Sequence, residues 1–291
     1  MMTTSNKVLV VGATGYLGLY IVKQLQERGQ DFVALARNKQ KLLANGVHDS
    51  QIFEAQVTDP QQLEGICDGV DVVISCLGIT RQQDGLKYMD IDYQANLNIL
   101  LEAEKSGVEK FIYISAFNAP TYSNVRLLRA KERFASRLLD SEQLQPCVIR
   151  PNGFFSDLEA IYHMATKGRV YQFGASAMKL NPIHGEDLAT FCLEAIPSNQ
   201  KELDVGGPEI LTTTEIAQLA FEAQCKNVRI VRLPDCLRRA ILRLMNHLPE
   251  KWGGPAEFFL TVMGKDSIAP VYGEHKIRDH YVALFTAVNK P

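Results

Sequence analysis

Val10-Val11-Gly12-Ala13-Thr14-Gly15-Tyr16-Leu17-Gly18 decides the fold. The run follows a strand-like stretch, Lys7 to Val11. It opens an amphipathic segment with Leu17, Tyr20, Ile21 and Leu25 on one apolar face and Gly29 as its C-terminal stop. Three glycines at this spacing have geometric reasons. Gly12 permits a tight turn, Gly15 lets a pyrophosphate approach the backbone, and Gly18 lets helix and strand pack closely. A phosphate would then lie against unpaired N–H groups and the positive end of the helix dipole. Gly12, Thr14, Gly15, Tyr16, Leu17 and Gly18 are therefore cofactor-binding candidates.

The next strand, Asp31 to Ala36, narrows the dinucleotide. A site for NAD usually places Asp or Glu at the C-terminal end of this strand, to accept from the ribose hydroxyls. Here that end reads Ala36-Arg37-Asn38, and Asp31 lies at the wrong end. Arg37 is placed to fork onto a 2′-phosphate, with Lys39 and Lys41 close by. Such a charge-assisted contact is worth roughly 1.5–3 kcal/mol, so NADP(H) is preferred over NAD(H).

The alternation continues along the chain. Thr58-Asp59-Pro60 reads as a helix start. Val70 to Cys76 is a continuous apolar strand, as in a parallel sheet covered on both faces, and it ends at Leu77-Gly78, where backbone passes close to a cofactor. A long helix follows, Asp92 to Lys105, stopped by Ser106-Gly107; then a strand, Val108 to Ser115. A helix from Val125 to Asp140 leads to the strand Gln145 to Arg150 and the bend Pro151-Asn152-Gly153. The pattern predicts an α/β protein with a Rossmann-type doubly wound parallel sheet.

The second half is less regular. Phe154 to Gly168 reads as a helix, Asn181 to Ala189 as an extended piece turning into a helix, and Leu203 to Pro208 as a strand ending in a turn. One domain is expected, with a core of about 6–155 plus a strand at about 202–206, and a small C-terminal substrate lobe of about 156–180 and 207–291. Phe154, Phe155, Tyr162, Met164 and Met178 give that lobe an apolar character suited to a hydrophobic or aromatic small molecule. Beyond Leu233, an apolar stripe of Leu237, Ala240, Ile241, Leu244, Met245 and Leu248 opposes Arg238, Arg239, Arg243 and Lys251. Such a helix packs on the lobe, lids a pocket, or lies on a membrane surface.

Composition limits the function classes. Of 291 residues, 46% are hydrophobic and 22% charged, with a net charge of −2, which gives nucleic acid no bulk attraction. The six cysteines (67, 76, 147, 192, 225 and 236) form no C-x-x-C, and the histidines stand singly, so neither a disulfide framework nor a metal site is expected. Of the histidines, His184 lies in the segment expected to return near the pocket. Met1 to Asn6 is short and polar, and no apolar run reaches membrane-span length. These features predict a cytoplasmic protein with no integral membrane segment.

With these residues in place, the chain resembles the short-chain dehydrogenase/reductase superfamily in its atypical or extended branches. Gly12 to Gly18 has the form of the NmrA-like and divinyl chlorophyllide reductase-like fingerprint. The resemblance makes Asp59 the acceptor for the adenine amine. Ile149-Arg150-Pro151-Asn152-Gly153-Phe154-Phe155 resembles the R-P-x-x-F-F turn bordering the nicotinamide, which adds Asn152 and Phe154 to Leu77 and Gly78 as cofactor contacts. Asn181 to Ala189 resembles the P-I-x-x-x-D-L-A segment, and Val205-Gly206-Gly207-Pro208 with Thr212 to Glu215 matches the next motif. The likeness extends to about Cys225.

It implies an NADP(H)-dependent oxidoreductase acting by hydride transfer on a small carbonyl or activated C=C substrate. The family's Tyr-x-x-x-Lys pair is incomplete. Lys131 matches the lysine and Ser115 the catalytic serine, but Leu127 stands where the tyrosine belongs. Either Lys131 has a lowered pKa and acts as acid or orients a water, or the substrate is a C=C bond needing only a weak proton source. Tyr122, in a nearby loop, is a weaker substitute acid. The alternative is a non-catalytic NADP(H)-binding redox sensor with a protein partner, as some NmrA-like proteins are.

Overall fold

The computed structural model describes residues 6–79, 85–174 and 177–288, so Met1 to Ser5 of the polar start lie outside the described residues. The chain divides into two units, Met1–Arg150 with Leu188–Leu203, and Pro151–Asp187 with Asp204–Pro291.

The first half runs β1 (Val8–Val11), α1 (Tyr16–Glu27), β2 (Phe32–Ala36), α2 (Gln40–Ala44), β3 (Ile52–Glu54), β4 (Val72–Ser75), α3 (Asn96–Ser106), β5 (Lys110–Ile114), α4 (Arg126–Leu139) and β6 (Gln145–Pro151). The second half runs α5 (Phe155–Thr166), β7 (Val170–Phe173), β8 (Lys179–Leu180), α6 (Gly185–Glu194), β9 (Glu202–Val205), β10 (Leu211–Thr212), α7 (Thr213–Glu222), β11 (Ile230–Leu233), α8 (Asp235–His247), α9 (Glu250–Val262) and α10 (Ile277–Val288). The central sheet has seven strands in the order β3-β2-β1-β4-β5-β6-β9. Val8 pairs in parallel with both Phe32 and Val72, so the strand order reverses between β1 and β4. This is the doubly wound Rossmann sheet expected from the alternation.

Every residue of β1 and β4 is buried, which is why both read as unbroken apolar runs. On one face, Phe111 and Tyr113 of β5 pack against Phe134 of α4, with ring centroids 5.9 and 4.7 Å apart. Lys110 is 3% exposed at the start of β5, an unusual place for an amine. Its Nζ donates to the carbonyls of Ala195 (2.7 Å), Ile196 (2.9 Å) and Ser198, capping the end of α6, while burial draws its pKa down.

Two local expectations change. The helix expected from Asp92 starts earlier, in a wide π-helical turn, Met89–Ala95, that runs into α3. The buried Asn96 amide donates to the carbonyls of Ile91 and Asp92 at 3.1 and 3.2 Å, and a side chain inserted into the ladder widens the turn. The helix start at Thr58-Asp59-Pro60 is one 3₁₀ turn, Pro60–Leu63, capped by Asp59 Oδ1, which accepts from Gln61 N at 3.1 Å.

In the second unit α5, α7 and α10 enclose a core of Phe155, Tyr162, Ile216, Phe221 and Tyr281. Phe155 and Tyr162 are thus core residues, 2% and 5% exposed, rather than a substrate-facing surface. Tyr281 Oη donates to Leu158 O at 3.0 Å, so its buried polar tip is satisfied. The Asn181 side chain, fully buried, accepts from Ala269 N (2.9 Å) and donates to Ala269 O (2.9 Å) and Gly207 O (3.2 Å), stitching three segments together. Among the described residues no helix is long and apolar enough to cross a membrane.

Candidate functional site

A cleft of about 220 Å³ opens at the C-terminal ends of β1 to β4 in the first unit. Gly12, Thr14 and Gly15 line it from the turn after β1, Leu35, Ala36 and Arg37 from the end of β2, Gln56, Val57 and Thr58 from beyond β3, and Cys76 to Ile79 from beyond β4. Open α/β sheets bind ligands in the crevice outside their strand ends where the strand order reverses. The β1/β4 boundary is that place in this sheet.

The glycines are forced by contact as well as by conformation. Gly12 has φ +79°, and a Cβ there would sit 3.1 Å from Cys76 C and O and Leu77 N. A Cβ on Gly18 would lie 2.3 Å from Gly12 O, so Gly18 lets α1 press onto the turn. Gly15 caps α1 without a side-chain hydrogen bond, and the first turn holds no acidic residue. This glycine cradle, at a helix start that carries no negative charge, fits a dinucleotide pyrophosphate. Leu17, 5% exposed, and Gly18 serve packing, and neither they nor Tyr16 lines the cleft.

Arg37 is exposed at the cleft, and no carboxylate lines it among the described residues. Lys41 Nζ donates to Thr14 O at 2.7 Å, tying the helix after β2 to the glycine turn, whereas Lys39 is turned to Asp49 at 2.8 Å. Asp59 does not line the cleft. Its carboxylate is engaged by Gln61 N and by Gln62 Nε2 at 2.9 Å, and Gln56, Val57 and Thr58 face the space instead. Burial pushes the Cys76 thiol up to about 12, so it is no nucleophile at neutral pH.

Beneath Gly78 lies a buried ion pair. Lys131 Nζ is 3.1 Å from Asp92 Oδ1, their side chains 14% and 0% exposed. A Cβ on Gly78 would fall 2.7 Å from Asp92 Oδ1 and 2.9 Å from Lys131 Nζ, so a side chain there would displace the ends of the pair. The Lys131 Nζ also reaches Ile114 O at 3.4 Å and lies 5.5 Å from the Tyr113 ring centroid. Burial works against its charge, but the Tyr113 hydroxyl and the Asp92 carboxylate outweigh it and hold its pKa above the ordinary lysine value. The lowered pKa that a lysine acid would need is therefore reversed.

Ser115 is 5% exposed, and its Oγ donates to Glu132 Oε1 at 2.7 Å. Glu132 is also held by Arg150 Nη2 at 2.9 Å, and Arg150 Nη1 meets Glu202 at 2.5 Å. The serine belongs to an ion-pair network. Leu127 is 3% exposed, on the buried face of α4 with Leu128, Ala130 and Phe134. Tyr122 ends a 3₁₀ turn, Ala119–Tyr122.

Asn152 and Phe154 belong to the second unit. Asn152 Nδ2 donates to Asn181 Oδ1 and Ser267 O, both at 2.6 Å, and its Oδ1 accepts from Ser267 Oγ at 2.8 Å. Phe154 N donates to Asp157 Oδ2 at 3.0 Å, closing the start of α5. Each is tied within its own unit by these bonds.

The second unit also gathers histidines that the sequence shows singly. His184 and His275 stack with centroids 4.4 Å apart, and with Glu186 they could offer three ligand atoms within 4.8 Å of one another. Asp187 Oδ1 takes His275 Nδ1 at 2.7 Å, and His280 Nε2 meets Glu159 at 3.1 Å. Burial, with His275 and His280 adding to it, lowers the His184 pKa to about 4.

A profile of NAD(P)H-binding proteins matches residues 12–199. The divinyl chlorophyllide a 8-vinyl-reductase of Arabidopsis thaliana is 30% identical over 86% of this chain and 66% of its own length, so the chain spans about two thirds of that relative. The photosystem II assembly factor Ycf39 of Synechocystis is 28% identical over 82% of this chain and 73% of its own. Among solved structures, the NADPH-dependent quinone oxidoreductase of Escherichia coli, complexed with NADPH, superposes with a TM-score of 0.70. It covers 96% of this chain and 99% of its own at 18% identity, a likeness of fold. By its matched profile, its relatives and its fingerprint, the chain belongs to the NAD(P)H-binding atypical short-chain dehydrogenase/reductases of the NmrA-like type.

Proposed function

We propose that this protein is an NADP(H)-dependent reductase delivering hydride to a small, hydrophobic, conjugated carbonyl or activated C=C substrate. The observation that carries the reading is the β1/β4 cleft, with its glycine turn and Arg37, and no carboxylate, at the end of β2. Gly12, Thr14 and Gly15 would hold the pyrophosphate, Arg37 the 2′-phosphate, and Leu77, Gly78 and Lys131 the nicotinamide side. The reduced dinucleotide, when bound, supplies the hydride.

The chain's own groups narrow the acceptor. Lys131, kept protonated by Tyr113 and Asp92, is a fixed positive charge beside Gly78 rather than a proton donor. Ser115 is committed to Glu132, and Leu127 has no proton to give. With the proton drawn from water, the site suits acceptors whose reduced anion is stabilised by conjugation and can wait for it. Simple ketones, whose alkoxide needs an acid at once, suit this site less.

The test is a paired calorimetric titration of NADPH and NADH on wild type and Arg37→Ala, followed by NADPH oxidation with enones, quinones and simple ketones. NADPH should bind tighter than NADH, Arg37→Ala should remove about ten- to a hundredfold of that preference, and conjugated acceptors should turn over fastest. Binding of neither cofactor would sink the reading. A second reading, a redox sensor, is favoured by the same lack of an acid group. Tight NADPH binding without turnover of any acceptor would select it.

A further inference from the structure

We infer that the α8–α9 hairpin of the second unit is a docking surface for an anionic lipid bilayer. Not one residue of α8 is buried. Leu237, Leu244 and Trp252 are 41%, 59% and 71% exposed on one hairpin, which is more apolar surface than scattered exposure explains. Leu237, Ala240 and Leu244 follow helical spacing and share one stripe of α8. Arg239 and Arg243, one turn apart, form the adjoining stripe, and both are exposed.

Charge separates along the hairpin. Asp235, at the start of α8, is taken by Arg238 Nε at 2.6 Å and Arg239 Nε at 3.1 Å. From there the exposed charged side chains are Arg239, Arg243 and Lys251, with Glu250 half-buried at the start of α9, and Lys251 Nζ lies 5.8 Å from the Trp252 ring centroid. Leucines beside snorkelling cations, with a tryptophan at the rim, make the pattern of a helix lying in a membrane interface. A second copy meeting this face about a two-fold axis would set these cations against their own like charges. Lipid phosphates complement them.

The surface is also pre-formed. Arg238 Nη1 of α8 donates to Leu260 O of α9 at 2.7 Å, so the two helices are braced before any partner arrives. Docking here would carry the protein to the phase where lipophilic molecules concentrate. The inference does not rest on hydride chemistry, and its test needs no cofactor.

Trp252 is the single tryptophan of the chain, so its emission reports this surface alone. The full protein is titrated with phosphatidylglycerol/phosphatidylcholine vesicles and with phosphatidylcholine vesicles. The anionic vesicles should shift the emission to the blue, brominated acyl chains should quench it, and salt should reverse both. Arg239→Glu with Arg243→Glu should weaken partitioning by at least about tenfold, and Leu244→Ser, at an exposed site, should weaken it without loss of circular dichroism. Emission unmoved by anionic vesicles in the folded protein would overturn the inference. So would equal binding to zwitterionic vesicles, or a blue shift that follows protein concentration without lipid, which would mark a self-association surface.

Discussion

The buried pair Lys131–Asp92 makes the most exacting prediction. Their separation is 3.1 Å and their side chains are 14% and 0% exposed, so neither charge can turn to water if its partner goes. Removing one member of such a pair costs about 3–5 kcal/mol, because the other charge stays buried without compensation. Asp92→Asn keeps the volume and leaves the ammonium with the Ile114 carbonyl and the Tyr113 ring. Lys131→Met leaves the carboxylate with the Ile79 N–H at 3.3 Å. Each single variant should lose about 3–5 kcal/mol in urea unfolding followed by far-ultraviolet circular dichroism, and the double variant no more than either. The pH dependence has a definite sign. Lys131 has its pKa raised in the folded chain, so its contribution is complete below the ordinary lysine value of about 10.4 and is lost as pH climbs through the higher folded value. The gap between wild type and Lys131→Met should hold constant from neutral pH to about 10 and close above that. Additive single effects, or a cost below about 1 kcal/mol for Asp92→Asn, would refute the reading of a desolvated, mutually dependent pair.

Gly18→Ala would put its Cβ 2.3 Å from Gly12 O and 2.8 Å from Ala13 Cα, both backbone; thermal unfolding should show a loss of about 1–3 kcal/mol or more, and calorimetry weaker NADPH binding. Leu127→Tyr should destabilise by about 1–3 kcal/mol without raising turnover of simple ketones, since position 127 is 3% exposed and a tyrosine there overpacks α4; a gain in ketone reduction would show that the site admits the missing acid. Lowering the pH from about 6.5 towards 4 should destabilise the protein, because the unfolded chain then binds a proton that folded His184 refuses, and His184→Gln should flatten that slope in pH-dependent unfolding.

The sheet was legible because burial on both faces leaves β1 and β4 as continuous apolar runs, and because the glycine turn has one geometric purpose. The lining of the cleft was legible only where backbone makes it, at Gly12, Thr14, Gly15, Leu77 and Gly78, or where a strand end fixes position, as for Arg37. Side-chain pairings over long separations were not. Asp92 reads as an ordinary first-turn acid, and only the turn widened by Asn96 marks it as unusual. Glu132 sits in Arg129-Ala130-Lys131-Glu132-Arg133, which reads as a solvated face, yet it gathers Ser115 and Arg150. Asn152 carried a second role the motif does not show. Its amide is engaged by Asn181 and Ser267 within the second unit.

On the proposed reading, the replacement of tyrosine by leucine changes what the lysine is for. In a tyrosine–lysine pair the ammonium lowers the tyrosine pKa, and its own proton stays in place. Here Lys131 keeps an anionic partner, Asp92, close against Gly78, and its pKa is raised rather than lowered. Tyr113 does not take over the proton. It is fully buried among Phe111 and Phe134, and burial holds its pKa far above neutral. A charge kept this firmly can orient a ligand hydroxyl and stabilise negative charge near the cleft, but it gives up a proton reluctantly. A reductase built this way selects its substrate by the stability of the anion that hydride addition leaves behind.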